Sequence, residues 1–228
     1  MAPEKQTRKE LLEEPDPVTV VLYRIAGFFA TYWKPIVSGL VVVLVIVASV
    51  SGYFYVRHRA ETEASVLFTR GMDHYAAVQN SDGSEEQYQE VKADFKAILD
   101  DYGNTNVADL ALVQYASASY RAGDLEEAAA HYEKALSRLP RDHEFREMAV
   151  IGLAYAHEGL GDRDKAIEYF EMIADDPDAA TRDQALFRLG QLYTDADAPE
   201  KSREAFEKIL AAHQDSIYYD LAKTRVEQ

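Results

Sequence analysis

The sequence predicts an all-α chain: a single transmembrane helix followed by an α-solenoid of about three to four helix hairpins. Three observations predict it. Residues 36–56 are apolar and carry no charge. One spaced set of small, aromatic and aliphatic residues recurs three times between residues 112 and 210. Gly-Asp at 123–124 and 161–162 divides two of these copies in half, as a turn between two helices would.

Residues 1–16 are polar and charged and are expected to be disordered. In the next segment, 17–34, Val18, Val21, Leu22, Ile25, Phe28, Phe29 and Tyr32 recur at helical spacing around Arg24. Pro15 and Pro17 precede the segment and Pro35 follows it. The pattern predicts an amphipathic helix in the membrane interface, although packing on the protein would suit the same face.

Ile36–Val56 is the span. Its 21 residues make a helix of roughly 31 Å, against a hydrocarbon core of ~30 Å. Trp33 and Lys34 stand at one margin, and Tyr53, Tyr55 and Arg57 at the other, as suits the headgroup level. A buried core helix is rarely so long and so uniformly apolar. A cleaved signal peptide would have a shorter lead and a small-x-small site after the run. The span is therefore expected to be retained.

Charge separates the chain into two parts. Residues 1–35 hold five basic and five acidic side chains, so the net −16 lies wholly after residue 56. A domain this acidic repels phosphate backbones, which argues against nucleic acid as a partner. It also argues against the domain lying on anionic lipid. With no cysteine, disulfides, thiolate zinc sites and a lipidated N-terminal Cys are excluded.

The recurring set has a small residue, a second small residue twelve on, an aromatic four further and an apolar residue three further. The copies are Ala116, Ala128, Tyr132 and Ala135; Ala154, Ala166, Phe170 and Ile173; and Gly190, Ser202, Phe206 and Ile209. The small pair lets two antiparallel helices approach, and the aromatic fills the space between hairpins. Gly123 and Gly161 end first helices, and the Asp that follows each can cap the second. Pro140 and Pro177 follow the second helices of the first two copies.

These spacings resemble the tetratricopeptide repeat, with its small residue in the first helix and A-x3-F in the second. The units are 108–140, 146–177 and 181–213. The third has Asp197-Ala198-Pro199 in place of Gly-Asp and lacks the closing Pro, and the usual Trp is absent throughout. A degenerate unit at 60–101, with NSDGS (80–84) at its turn and Phe95 and Ile98 in the aromatic and apolar places, precedes them. A capping helix at 216–227 ends the stack.

The resemblance implies a concave wall lined by first helices. One stripe at i, i+4, i+7 on each would form a protein-binding groove: Phe68, Met72 and Tyr75; Val113, Ser117 and Tyr120; Ile151, Tyr155 and Glu158; Phe187, Gln191 and Thr194. The C-terminal helix could instead fill this groove. The sequence has no phosphate loop, dinucleotide fingerprint, nucleophile elbow or His pair at i, i+4. No catalytic residue, metal, cofactor or small-molecule substrate is assigned.

The order of tail, apolar pre-helix, span and short repeat domain resembles the ancillary subunit of the bacterial Sec translocon. That family is anchored in the inner membrane with its repeats in the periplasm. The resemblance implies Sec translocon subunits, periplasmic chaperones or secreted clients as partners. The ending FEKILAAHQDSIYYDLAK (206–223) is also similar to the Tol-associated cell-division coordinator type, which would imply an envelope scaffold. A regulatory scaffold facing the cytoplasm is the third reading. Basic residues near the span lean slightly against a periplasmic domain: Arg24 and Lys34 precede it, while Arg57, Arg59 and Arg70 follow.

Overall fold

The computed structural model describes residues 17–227; the tail assigned to 1–16 lies outside the described residues. All regular structure among the described residues is helical. The elements are α1 (Pro17–Asn80), α2 (Glu85–Asp101), α3 (Asn106–Arg121), α4 (Leu125–Arg138), α5 (Glu144–Gly159), α6 (Arg163–Ala174), α7 (Arg182–Asp195), α8 (Pro199–Ala212) and α9 (Tyr219–Val226). The chain divides into two compact units, Met1–Val56 and Arg57–Gln228.

The first unit contains the apolar part of α1, with its large side chains exposed from Ile36 to Val56. This stretch is long and apolar enough to cross a membrane. The sequence placed a helix boundary at Pro35, and the structure corrects it: α1 runs unbroken with Pro35 inside. Proline removes one N–H, and with it the bond that the Thr31 carbonyl would accept, but it does not by itself end a helix whose flanks continue. Two side chains make backbone bonds around this point. Thr31 Oγ1 donates to the Gly27 carbonyl at 2.9 Å, and Ser38 Oγ to the Pro35 carbonyl at 3.0 Å.

In the second unit, successive helices pair as hairpins: α3 with α4, α5 with α6, and α7 with α8, while α9 packs on α8; the C-terminal part of α1 packs on α2 through Phe68, Tyr75, Tyr88 and Phe95. The turns show why the sequence folds this way. Gly123 (φ 82°) and Gly161 (φ 78°) adopt the left-handed conformation that ends α3 and α5. Where glycine is missing from that place, Asp197 (φ 54°) takes it, and Asp82 (φ 49°) does so in the expanded first turn. Ser84 and Gln87 form a reciprocal capping box at the start of α2. Asp162 accepts from the Lys165 amide and caps α6. Asp124 does not cap α4: its carboxylate is taken by Lys92 Nζ at 2.5 Å and Gln89 Nε2 at 2.6 Å, both on α2. A cross-hairpin ion pair has displaced the local cap.

The repeated positions form the core. Ala116, Ala128, Ala135, Ala154, Ala166, Phe170 and Ile209 are fully or almost fully buried, and Tyr132 and Phe206 nearly so. Full burial of a side chain such as Phe170 contributes roughly 1.5–3 kcal/mol. α7 and α8 approach closely at Gly190, whose carbonyl accepts from Ser202 Oγ of α8 at 2.8 Å. A Cβ on Gly190 would stand 2.5 Å from the Phe206 ring, so the small pair here is a steric requirement. In the degenerate first hairpin, Gly71 makes the matching approach to Phe95.

One repeated contact was not read from the sequence. Glu61 of α1 accepts the backbone N–H groups of Asn106 and Val107, the first turn of α3. Glu147 of α5 accepts the N–H of Ala180 and both the N–H and hydroxyl of Thr181, at the start of α7. Asp183 of α7 accepts Ser216 Oγ ahead of α9. A carboxylate on one first helix thus holds the beginning of the next, where unpaired N–H groups and the helix dipole favour negative charge. Glu147 and Asp183 occupy the same repeat register, seven residues before the small residue; Asp109 shares it, but pairs with Arg138 at the end of α4.

Candidate peptide-binding wall

The first helices of the hairpins, α3, α5 and α7, and the terminal α9 present one wall of the second unit. Side chains join them in sequence. Tyr120 of α3 and Tyr155 of α5 lie with ring centroids 6.4 Å apart. The guanidinium of Arg188 on α7 sits 5.2 Å from the centre of the Tyr155 ring. Phe187 of α7 stacks on Tyr218, just before α9, at 4.9 Å. Each step from one hairpin to the next is therefore made by an aromatic side chain that is itself only partly covered.

Polar groups fix this row. Arg188 donates to Gln191 Oε1 at 2.9 Å and approaches the Glu158 carboxylate at 3.8 Å. Gln184 Nε2 donates to the Tyr155 hydroxyl at 2.7 Å. Burial works against the charge of Arg188, and Glu158 with the Tyr155 hydroxyl more than offsets it, so its pKa lies above the ordinary value. Burial also raises the Tyr120 phenol, and Glu158 adds to the shift. A cleft of ≈ 250 Å³ beside Arg188 is lined by Glu158, Gln191, Thr194, Phe206 and Arg225 among others.

The twelve residues expected in the groove do not share one environment. Tyr120, Ile151, Tyr155, Glu158, Phe187 and Gln191 lie half-buried on α3, α5 and α7, and Thr194 is exposed at the end of α7. Phe68, Met72 and Tyr75 are half-buried on α1, where Phe68 meets Phe95 and Tyr75 meets Tyr88, both at 5.8 Å. Ser117 is engaged by the Tyr132 hydroxyl at 2.9 Å. Val113 is the correction. It is fully buried among Leu112, Ala116 and their neighbours, because its position on α3 turns toward the adjoining hairpins and leaves no surface for a partner. The residues missed are Arg188, Gln184 and Tyr218. Arg188 directly follows a predicted groove residue, but a stripe chosen for apolar side chains passes over a cation that covers an aromatic face.

The row offers aromatic faces, one partly exposed guanidinium and side-chain amides. Those are groups for holding an extended chain. Comparison with known proteins bears on the fold. A tetratricopeptide repeat protein from Parabacteroides merdae is 19% identical with a TM-score of 0.59, covering 73% of this chain and 59% of that one. This chain therefore spans about three fifths of that relative's length. The nearly identical TPR-like repeats assigned to a kinesin light chain of Podosopora anserina give 17% identity and a TM-score of 0.57, over 72% of this chain and 84% of that one. BtubC from P. vanneervenii gives 16% and 0.52, over 70% and 74%. None of the curated proteins matches. The tetratricopeptide fold is typically a non-enzymatic interaction scaffold. The tetratricopeptide repeat-like domain family matches residues 27–228, which takes in both the apolar run and all the hairpins, and the chain belongs to that family.

Proposed function

We propose that this chain is a membrane-anchored adaptor that binds other proteins along the wall of α3, α5 and α7, as an ancillary translocon or periplasmic chaperone-network component. Its ligands would be extended segments of secreted clients or of partner subunits. The observation that carries the reading is the row Tyr120–Tyr155–Arg188, three side chains from three hairpins that touch one another and remain partly open. The span Ile36–Val56 supplies the anchor, and the family match that begins at residue 27 supports its being part of the architecture. In this reading the N-terminal side is cytoplasmic and residues 57–228 are periplasmic, in the bacterial inner membrane.

Photo-crosslinkers at Tyr120 and Tyr155 should capture partners in cells, while crosslinkers at the exposed Glu133 and Glu168 of the second helices should capture far fewer. Each aromatic contact at such a site is worth about 2 kcal/mol or more. The double change Tyr120→Ala with Tyr155→Ala should therefore abolish capture, and capture should depend weakly on salt. Equal crosslinking at all four positions, or unimpaired capture by the folded double variant, would refute the groove. Because the chain has no cysteine, introduced thiols report its topology cleanly. Labelling of residues 57–228 only after the inner membrane is lysed would reverse the orientation.

A further inference from the structure

We propose that residues 17–34 lie flat in the headgroup–acyl boundary of the bilayer, and that α1, continuous through Pro35 in the structure, bends away from the span at Thr31–Ser38 when it meets a membrane. The inference rests on the membrane-anchor reading and adds a second lipid contact to it.

Length makes the case first. From Pro17 to Val56, α1 would extend about 60 Å as a straight helix, twice the ~30 Å hydrocarbon core that Ile36–Val56 already fills. A straight α1 would therefore carry some 27 Å of apolar helix into water. Val18, Val21, Leu22, Ile25, Phe28 and Tyr32 are all exposed on it, and water disfavours that surface.

Arrangement comes second. Projected at about 100° per residue, Val18, Val21, Leu22, Ile25, Phe28 and Tyr32 fall on one arc. Tyr23, Arg24, Gly27, Thr31 and Lys34 fall on the other, with Val20 the one aliphatic residue among them. A one-sided helix of this kind suits the plane of the interface, with its basic residues among the headgroups. Arg24 in mid-segment disfavours full insertion as a second span.

The hinge is the third observation. Pro35 lacks the N–H that would close the preceding turn. The hydroxyls of Thr31 and Ser38 each donate to a backbone carbonyl of the preceding turn, a habit that bends helices. Three bend-promoting residues thus fall within eight positions, immediately beside Trp33 and Lys34 at the membrane margin.

Trp33 is the chain's single tryptophan, so a Trp33→Phe background allows one probe at a time. The full chain is reconstituted in vesicles of phosphatidylcholine and phosphatidylglycerol, with bromine on the acyl chains near the glycerol. Leu22→Trp, on the apolar arc, should show blue-shifted emission and loss of intensity to bromine. Tyr23→Trp, on the opposite arc, should be quenched by aqueous acrylamide instead. Spin labels at Val20→Cys and Val50→Cys should lie about 32 Å apart for a right-angle bend and about 45 Å for a straight helix, at 1.5 Å per residue.

A Leu22→Trp open to acrylamide overturns the proposal in favour of a helix in water. Shielding from both quenchers overturns it in favour of packing on protein. Equal bromine quenching at 22 and 23 overturns it in favour of full insertion. A straight-helix distance overturns the hinge. If the unmodified chain fails to float with the vesicles, the membrane anchor itself is wrong.

Discussion

Gly190→Ala adds one methyl group at the tightest point of the last hairpin, and its effect can be worked from the contacts. The new Cβ would stand 2.5 Å from Cε1 and Cζ of Phe206 and 2.8 Å from Cε2. Carbon atoms in packed interiors rest about 3.5–4.0 Å apart, so roughly 1 Å must be opened. The ring can yield only toward the cleft beside Arg188 that it helps to line. Phe206 is 2% exposed, and Phe187 lies against it at 5.7 Å. The backbone is held too, because the Gly190 carbonyl accepts from both Ser202 and Thr194. Overpacking of this kind costs about 1–3 kcal/mol. Alanine in a helix interior recovers up to about 1 kcal/mol relative to glycine. The expected net loss is about 1–2 kcal/mol.

Gly159→Ala in α5 is the control. Its Cβ would meet Leu125 Cδ1 at 2.8 Å, which is also far inside ordinary van der Waals contact. Leu125 is half-buried and flexible, so it can rotate away, and the helix preference for alanine then dominates. Gly159→Ala should be neutral or stabilising. Urea unfolding of the full chain in detergent, followed by far-ultraviolet circular dichroism, measures both. A further change, Phe206→Leu, should restore part of the loss in Gly190→Ala as a positive coupling in the double-mutant cycle. Equal effects of the two glycine changes, or no coupling with Phe206, would show that the ring does not set the distance between α7 and α8.

Two other outcomes follow from titratable groups inside the repeat stack. Glu147→Gln weakens three bonds at the start of α7, of which the Thr181 pair at 2.6 and 2.7 Å are the shorter; bonds to a charged group are worth about 1.5–3 kcal/mol, and the urea midpoint should fall accordingly. His157 is 5% exposed, stacks on Tyr169, and has neither ring nitrogen hydrogen-bonded. Burial first, and then Lys165, lower its pKa, with Asp162 and Glu133 opposing. The unfolded chain then takes up the proton at higher pH than the folded one, so stability present near neutrality falls as pH drops below about 6.5. His157→Phe should flatten that part of the pH profile, and an unchanged slope would assign the acid sensitivity elsewhere.

The fold was legible because each repeated position is a contact. Ala128, Ala166 and Ser202 are small where a second helix passes close, and Tyr132, Phe170 and Phe206 fill the space between layers. Geometry of this kind leaves a spacing in the sequence. The carboxylate seven residues before each small residue left the same trace at Asp109, Glu147 and Asp183, but an acidic residue in a first turn is so common that its partner cannot be inferred. Val113 was misplaced because a step of i, i+4 crosses the border between core and wall, and the residue type is apolar on both sides. Asp124 could be read as a cap only while Lys92 was out of view. Pro35 was read as a stop because sequence shows the missing donor and not the helical flanks that carry the turn through it.

The wall changes character along its length, and that decides how it can be probed. Ahead of it, Phe68 and Tyr75 of α1 make their aromatic contacts with α2, inside their own hairpin. From Tyr120 onward the contacts run between hairpins, through Tyr155 and Arg188 and then through Phe187 and Tyr218. In a stack whose stability is a sum of neighbour interfaces, the second set governs both the surface shown to a partner and the angle between hairpins. Tyr155 has a further contact with Phe170 at 5.1 Å, so its truncation opens the core as well as the wall. Tyr120 packs against the core of α3–α5 but makes no ring contact with a fully buried aromatic among the described residues, and its truncation changes the surface more than the stack. A partner bound across Tyr120 and Tyr155 would hold α3 and α5 together and resist unfolding of the hairpins on either side. Binding should therefore raise the unfolding midpoint of the wild type and of Tyr155→Phe, which keeps the ring, and fail to raise that of Tyr120→Ala. That pattern separates a lost contact from a loosened scaffold, which the double alanine change alone does not.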